Sequence, residues 1–428
     1  MEVLILVLTF IVLLGIGVPV AWSIGLSSIF TMLASIPMIP AFTTIAQRMA
    51  TGLDSFSLLA IPFFILAGQM MNKGGIARRL IDFAKTLVGA LPGGLAYVNI
   101  IAAMLFGAIS GSAVAAASAL GSMLGKRMED EGYSKEFSAA INVTSATTGL
   151  IIPPSNVLIV YSLASGGVSI AALFLAGYIP GILTGLFLMI VAAFWAKKKD
   201  FPVGERSKLS EVLKTFLNAL PSLMLLVVVI GGIVAGVFTA TEASAIAVLY
   251  CLILSFFYKE MTIKELPNVF LHSVATTAIV MLLIGTSMSM SWIMAYENIP
   301  QNITEILLSV SDNKFVILLI INLILLFVGI FMDMTPAVLI FTPIFLPVVT
   351  ELGMDPTHFG IVMVLNLCIG LCTPPVGSVL FVGVGVAGTT IQKVIKPLLP
   401  LFVAMIIALI IVTYVPALSL WLPSLFGL

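Results

Sequence analysis

Four short interruptions carry the polar chemistry of an otherwise apolar chain: GAISGSA (107–113), GLIIPPSN (149–156), GIFMDMTP (329–336) and GLCTPPVG (370–377). Their residue types suit holding ions and small polar solutes. Pro153-Pro154 and Pro374-Pro375 remove backbone donors and stop a helix from continuing, which strands carbonyl oxygens without intrahelical partners. Ser110, Ser112, Ser155, Thr335 and Thr373 add hydroxyls, Asn156 an amide, and Asp333 the one carboxylate among them. Oxygen ligands of this kind suit a dehydrated cation, and a helix that resumes after such a break aims its positive dipole end at an anion. The bond-breaking classes find no support. There is no Walker loop, no H-E-x-x-H and no cofactor fingerprint, so the chain is read as a non-enzyme without a cofactor, driven by an ion gradient.

The elements that hold these breaks lie in a membrane. Of 428 residues, 61% are hydrophobic and 9% charged, with a mean hydropathy of +1.22, a composition that cannot present a water-facing exterior. Apolar runs of the length needed to cross about 30 Å of hydrocarbon recur throughout, and the alternation of barrel strands is missing. Spans are expected near 3–20, 22–40, 55–72, 136–163, 169–195, 219–238, 241–258, 272–296, 358–388 and 397–422. The first has no basic leader and is read as a retained helix. Two further pairs, 97–126 and 315–349, have polar midpoints at 107–113 and 329–336 and are expected to enter and leave from one side as re-entrant hairpins. Segments 73–90, 205–218, 259–270 and 298–310 are expected to lie along the surface as amphipathic connectors.

If the first hairpin opens to the cytoplasm, every basic residue except Arg48 and Lys314, of 19 in all, falls on the cytoplasmic side. That satisfies the positive-inside rule, places both termini outside and makes the second hairpin open to the opposite face. Zero net charge gives no electrostatic reason to expect nucleic acid. Cys251, Cys368 and Cys372 lie in apolar segments without metal-site spacing and are read as packing residues. Glu242 in VFTATEASA (237–245) is read as an outer-interface or scaffold residue, and Trp195, Trp292 and Trp421 as interfacial anchors.

Sliding the chain on itself by 221 residues superposes Gly132 on Gly353, Gly149 on Gly370, Pro153 on Pro374, Pro154 on Pro375 and Gly167 on Gly388 without a gap. Two homologous halves follow, 1–200 and 201–428. Their basic residues put them in opposite orientation. The expected fold is therefore an all-α polytopic membrane protein with inverted-topology repeats, each holding a re-entrant hairpin and a broken transmembrane helix. Small residues such as SGSAVAAASALGS (110–122) also serve close helix packing, and Asp333 could cap a resumed helix; the joint recurrence of tip and break in both halves favours a site.

The stretches LLAIPFFILAGQMM (58–71), GGLAYVNIIAAMLFGAISGSAVA (93–115), GLIIPPSNVLIVY (149–161), GVFTATEAS (236–244) and GLCTPPVG (370–377) resemble the large membrane subunit of tripartite ATP-independent periplasmic (TRAP) transporters. The resemblance implies a sodium-coupled elevator carrier for organic acids in the bacterial inner membrane, with Na+ as coupling ion. It also implies two partners: a small four-helix membrane subunit, recruited as a separate polypeptide, and a periplasmic substrate-binding protein. Sodium sites carried over by motif fall on Ser110, Gly111, Ser112, Gly149, Ile152 and Pro153, and on Gly329, Asp333, Thr335, Gly370, Thr373 and Pro374. Substrate contacts fall on Ser112, Ser155, Asn156, Asp333, Thr373 and Gly377. The Ser155-Asn156 pair, with no Arg or Lys at mid-membrane, fits one carboxylate on a polar, sugar-like body, so sialic acid is the expected substrate and a C4-dicarboxylate its rival. A stand-alone carrier of the same superfamily and an ion channel filtered by the tips stay open as alternatives.

Overall fold

The computed structural model describes residues 2–428 except 200, 202, 204–206 and 312. Arg206, counted above on the cytoplasmic side, lies outside the described residues. The first half runs α1 (Glu2–Gly15), α2 (Val20–Ser35), α3 (Met38–Leu53), α4 (Ala60–Lys73) and α5 (Ile76–Val88). It continues through α6 (Gly94–Ser110), α7 (Ala113–Asp130), α8 (Lys135–Thr148), α9 (Asn156–Ala164) and α10 (Ile170–Lys199). The second half runs α11 (Leu209–Val234), α12 (Ala240–Phe257), α13 (Leu266–Tyr296), α14 (Ile299–Val310) and α15 (Lys314–Phe331). It ends with α16 (Met334–Glu351), α17 (Pro356–Gly370), α18 (Ser378–Ala387), α19 (Ile391–Tyr414) and α20 (Ala417–Leu425). Among the described residues, eight helical segments are long and apolar enough to cross a membrane. The chain is a multi-pass, all-helical membrane protein.

The 221-residue offset carries into the elements. Shifting the bounds of α7 by 221 gives those of α16, and shifting α5, α6, α8 and α9 lands within two residues of α14, α15, α17 and α18. The contact between the halves has the same geometry. The Cys368 thiol donates to the carbonyl of Thr147 at 3.2 Å across a sequence separation of 221, so a residue touches its own repeat equivalent, as an isologous two-fold contact requires. Cys372 donates to the Val143 carbonyl at 3.4 Å. The two buried thiols thus hold the end of α17 and the break that follows it against α8.

Helix contacts sort the chain into two layers. α2 and α3 pack on α13, α4 on α12 and α1 on α2, while α6, α7, α19 and α18 surround α8, and α15 and α10 pack on α17. The short amphipathic helices α5 and α14 join the layers, α5 lying on α6 and α11, α14 on α16 and α13.

Several expectations need correction. The span expected at 22–40 ends at Ser35, where Ile36 turns extended ahead of Pro37, and an unforeseen helix, α3, follows. α3 crosses α13 near the C-terminal end of α13: Arg48 stands 5.5 Å over the Trp292 ring, and the Ser289 hydroxyl donates to the Ile45 carbonyl at 3.4 Å. Of the four expected surface connectors, only 73–90 and 298–310 form separate helices. Residues 209–218 and 266–270 run straight into α11 and α13: α11 continues through Pro221 without ending there, and Pro267 falls in the first turn of α13, where a missing N–H costs nothing. The last span divides at Val415-Pro416 into α19 and α20.

Candidate functional site

Each hairpin tip is built by a cap. At the first, Gly111 adopts φ +62° and ends α6, and the Ser112 hydroxyl accepts from the Ala115 N–H at 3.2 Å to start α7. The second tip places a carboxylate at the equivalent position, where Asp333 Oδ1 accepts from the Met334 N–H at 2.9 Å to start α16. Ser and Asp are both preferred caps because each satisfies an orphan amide of the first turn. Asp333 therefore caps with one oxygen, and its side chain stays exposed to the space between the tips.

Behind each tip, glycines let the hairpin lie directly on the broken helix of its own half. A Cβ on Gly149 would stand 2.5 Å from the Cα of Gly107, and one on Gly370 the same distance from the Cα of Gly329. Polar pairs pin the same crossings: the Ser145 hydroxyl donates to Asn99 Oδ1 at 2.8 Å, and Asn366 Nδ2 to Asn322 Oδ1 at 2.7 Å. The breaks themselves span Gly149–Ser155 and Leu371–Gly377, each with a cis bond between its two prolines. They differ in setting. Residues 149–155 are buried throughout, whereas Pro375 and Val376 are exposed.

Both tips open on one cavity of about 220 Å³. Ser110, Gly111 and Ser112 line it from one side, Asp333 and Thr335 from the other, and Asn156 at the start of α9 closes its floor. Asn156 sits so near the first tip that a Cβ on Gly111 would be 2.5 Å from its Nδ2. The Asn156 Oδ1 has no hydrogen-bond partner among the described residues; nor does the hydroxyl of Ser155, which is buried beside it and is not among the lining residues. Asp333 is the only charged side chain among the lining residues. The half-helices α7, α9 and α16 begin at Ala113, Asn156 and Met334, so three positive dipole ends converge on the space.

The chain matches the family described as Tripartite ATP-independent periplasmic transporter, DctM component, over residues 7–418. It belongs to that family. It is 59% identical to the uncharacterized protein YgiK of Salmonella typhimurium, over 98% of this chain and 96% of that one. It is 39% identical to the C4-dicarboxylate TRAP transporter large permease protein DctM of Rhodobacter capsulatus, over 100% of both. Identity is 40% to the sialic acid TRAP transporter large permease protein SiaM of Vibrio cholerae, over 97% and 96%. Among solved structures it is similar to the Alcanivorax borkumensis YdaH transporter, with a TM-score of 0.66 at 13% identity, covering 92% of this chain and 90% of that one. That likeness concerns the fold alone. A permease subunit of this family is a transporter and not an enzyme.

Within this DctM-family chain, six of the residues singled out from sequence line the cavity: Ser110, Gly111, Ser112, Asn156, Asp333 and Thr335. Others stand behind it. Gly149, Ile152 and Pro153 belong to the buried first break, and Gly329, Gly370, Thr373, Pro374 and Gly377 to the second crossing. Thr373 and Gly377 do not reach the cavity: the Thr373 hydroxyl is spent on the Ile369 carbonyl at 2.7 Å, and the Gly377 N–H on the Ile330 carbonyl at 3.2 Å. Three polar lining residues escaped the sequence reading, Gln69 and Asn72 on α4 and Thr276 on α13. Gln69 and Asn72 carried a usable signal, since two amides three residues apart at the end of an apolar span share one helix face. Thr276 carried none. Glu242 is placed away from this space, in a capping box where its Oε2 accepts from the Thr239 N–H and hydroxyl, both at 2.8 Å.

Proposed function

We propose that this chain carries out sodium-coupled uptake of an organic acid bearing one carboxylate, best represented by sialic acid, across the bacterial inner membrane. The observation that supports it most directly is the cavity between the tips, where Asp333 is the sole charge and no Arg, Lys or His stands among the lining residues. A substrate carboxylate there would lean on the dipole ends of the half-helices and on co-bound cations, and a second carboxylate would lack a partner. Gln69, Asn72, Asn156 and Thr276 would read the neutral hydroxyl and amide groups of the body.

Each hairpin crossing offers oxygens for a sodium ion. The first set is Ser110, Gly111 and Ser112 with carbonyls of Gly149, Ile152 and Pro153; the second is Gly329, Asp333 and Thr335 with Gly370, Thr373 and Pro374. The layer holding α6–α10 and α15–α20 would slide as an elevator against α1–α4 and α11–α13. The family supports a small membrane subunit and a periplasmic binding protein as partners, and the charge distribution supports termini on the periplasmic side. The test is uptake of labelled sialic acid into proteoliposomes holding this chain with its small partner, with and without binding protein and an inward sodium gradient. Uptake requiring both upholds the reading. Sodium-driven uptake of a C4-dicarboxylate in its place overturns the substrate, and uptake without the binding protein overturns the tripartite route.

A further inference from the structure

Gly107 on Gly149 and Gly329 on Gly370 let each hairpin approach its broken helix backbone to backbone. Facing glycines have no side chains to interlock, so such a contact sets no register along the helix axis. Directional bonds can set one. Asn366 stands one turn before Gly370 and Ser145 one turn before Gly149, on the helix faces that carry the crossings. Asn366 Nδ2 spends both hydrogens on one residue of α15, reaching the Asn322 carbonyl at 2.9 Å and its Oδ1 at 2.7 Å. Asn322 is held in turn, its Nδ2 donating to the Leu318 carbonyl at 3.0 Å and to the Thr413 hydroxyl of α19 at 3.3 Å. In the first half the Ser145 hydroxyl donates to Asn99 Oδ1 of α6.

Stability alone gives little reason for these groups. Asn99, Ser145 and Asn366 are buried in a membrane protein, where a polar pair between helices gains little over apolar packing, and Asn366 Oδ1 has no hydrogen-bond partner among the described residues. The 221-residue offset pairs Ser145 with Asn366, yet it pairs Asn99 with Ile320 and Asn322 with Ile101. The two halves reach the same bond from different hairpin positions, and an isoleucine fills the unused place in each. We propose that Asn366 and Ser145 are positioning residues for the two sodium sites, each fixing the register of hairpin on break and so the spacing of the oxygens offered to the ion. This rests on the sodium-coupled reading above. In the second site Gly329, Asp333 and Thr335 come from the hairpin and Gly370, Thr373 and Pro374 from the break, so a slide of one past the other spoils the coordination without unpacking either.

The test titrates sodium against the unfolding midpoint of the complete chain in detergent, with choline holding the ionic strength, and measures uptake in proteoliposomes with the small partner and binding protein. Asn322→Leu with Asn366→Leu removes both partners and keeps their shape, so no buried acceptor is left unpaired. The half-maximal sodium concentration should rise about tenfold, as for one to two net hydrogen bonds, while the sodium-free midpoint and the substrate KM at saturating sodium stay at the parent's values. Ser145→Ala with Asn99→Leu should raise it through the first site, and carries the test if the other pair fails to fold. Grafting the first half's arrangement onto the second, by Asn366→Ser, Ile320→Asn and Asn322→Ile, should restore sodium affinity. Parental sodium dependence in the folded leucine variants, a change confined to the sodium-free midpoint, or no recovery in a folded graft would overturn the positioning role and leave sodium coupling standing. A parent chain that sodium neither stabilises nor drives would overturn the sodium reading and this role with it.

Discussion

Replacing Gly149 by alanine tests whether the hairpin must lie directly on the broken helix. The added Cβ would meet the Cα of Gly107 at 2.5 Å and the carbonyl oxygen of Ala103 at 2.6 Å. Both are backbone atoms, so no side chain can rotate away, and reaching ordinary contact near 3.4 Å requires α6 and α8 to separate by about 0.9 Å. Overpacking of a well-filled core costs about 1–3 kcal/mol, and the rigidity of two helix backbones puts this case at the upper end. Gly370→Ala meets Gly329 in the same way, at 2.5 Å from its Cα, and should cost as much. Gly125→Ala is the control: nothing lies within 4 Å of its Cβ position, and an alanine inside α7 should stabilise by about 0.5–1 kcal/mol. Reversible unfolding of the three variants in detergent reads these differences. If Gly149→Ala and Gly370→Ala are as stable as Gly125→Ala, the close crossing is not what holds tip and break together.

Asp333→Asn keeps a competent cap, so the unfolding midpoint should hold while sodium-driven uptake falls by about tenfold or more, the loss of one charge-assisted contact of about 1.5–3 kcal/mol; equal uptake would remove Asp333 from the site. Gln69→Ala and Asn72→Ala should each raise the KM for substrate by about two- to tenfold, as expected for one net hydrogen bond of about 0.5–1.5 kcal/mol, and unchanged saturation curves for both would show that α4 does not read the substrate. Gly111→Ala combines a left-handed φ of +62° with a Cβ against Asn156 and should abolish uptake; normal transport would mean the tip can rebuild. Thr239→Ala removes one side of the α12 capping box and should destabilise by about 1 kcal/mol with substrate KM unchanged, which unfolding and uptake measured on the same preparation would check.

The fold was legible where the chain repeats itself. The prolines at 153–154 and 374–375 and the polar tips fixed the offset, and with it the hairpins and the breaks, to within a few residues. Lost were features that depend on how apolar surfaces meet: α3 reads as an outer loop because its amphipathic face is recognised only against α13, and α11 and α13 read as divided because surface polarity resembles a linker until the helix is seen to continue. The cavity was half legible. Its tip residues are exceptions to apolar surroundings, whereas Gln69, Asn72 and Thr276 act through placement on neighbouring helices that no local pattern states.

The two halves share a frame and differ in chemistry at the positions that matter. The 221-residue offset pairs Ser112 with Asp333, both caps of a hairpin's second helix, and pairs Asn156 with Gly377 at the start of the resumed helices. Symmetry alone would put two equal tips and two equal floors around the axis marked by Thr147 and Cys368. The carboxylate stands on one tip only and the amide on the opposite half's floor, so α7, α9 and α16 converge on a single unequal pocket. The contact pattern enforces this crossing, since α16 packs against α9 and α18 against α7. Each hairpin is thus completed by the other half, and neither repeat taken alone contains the site.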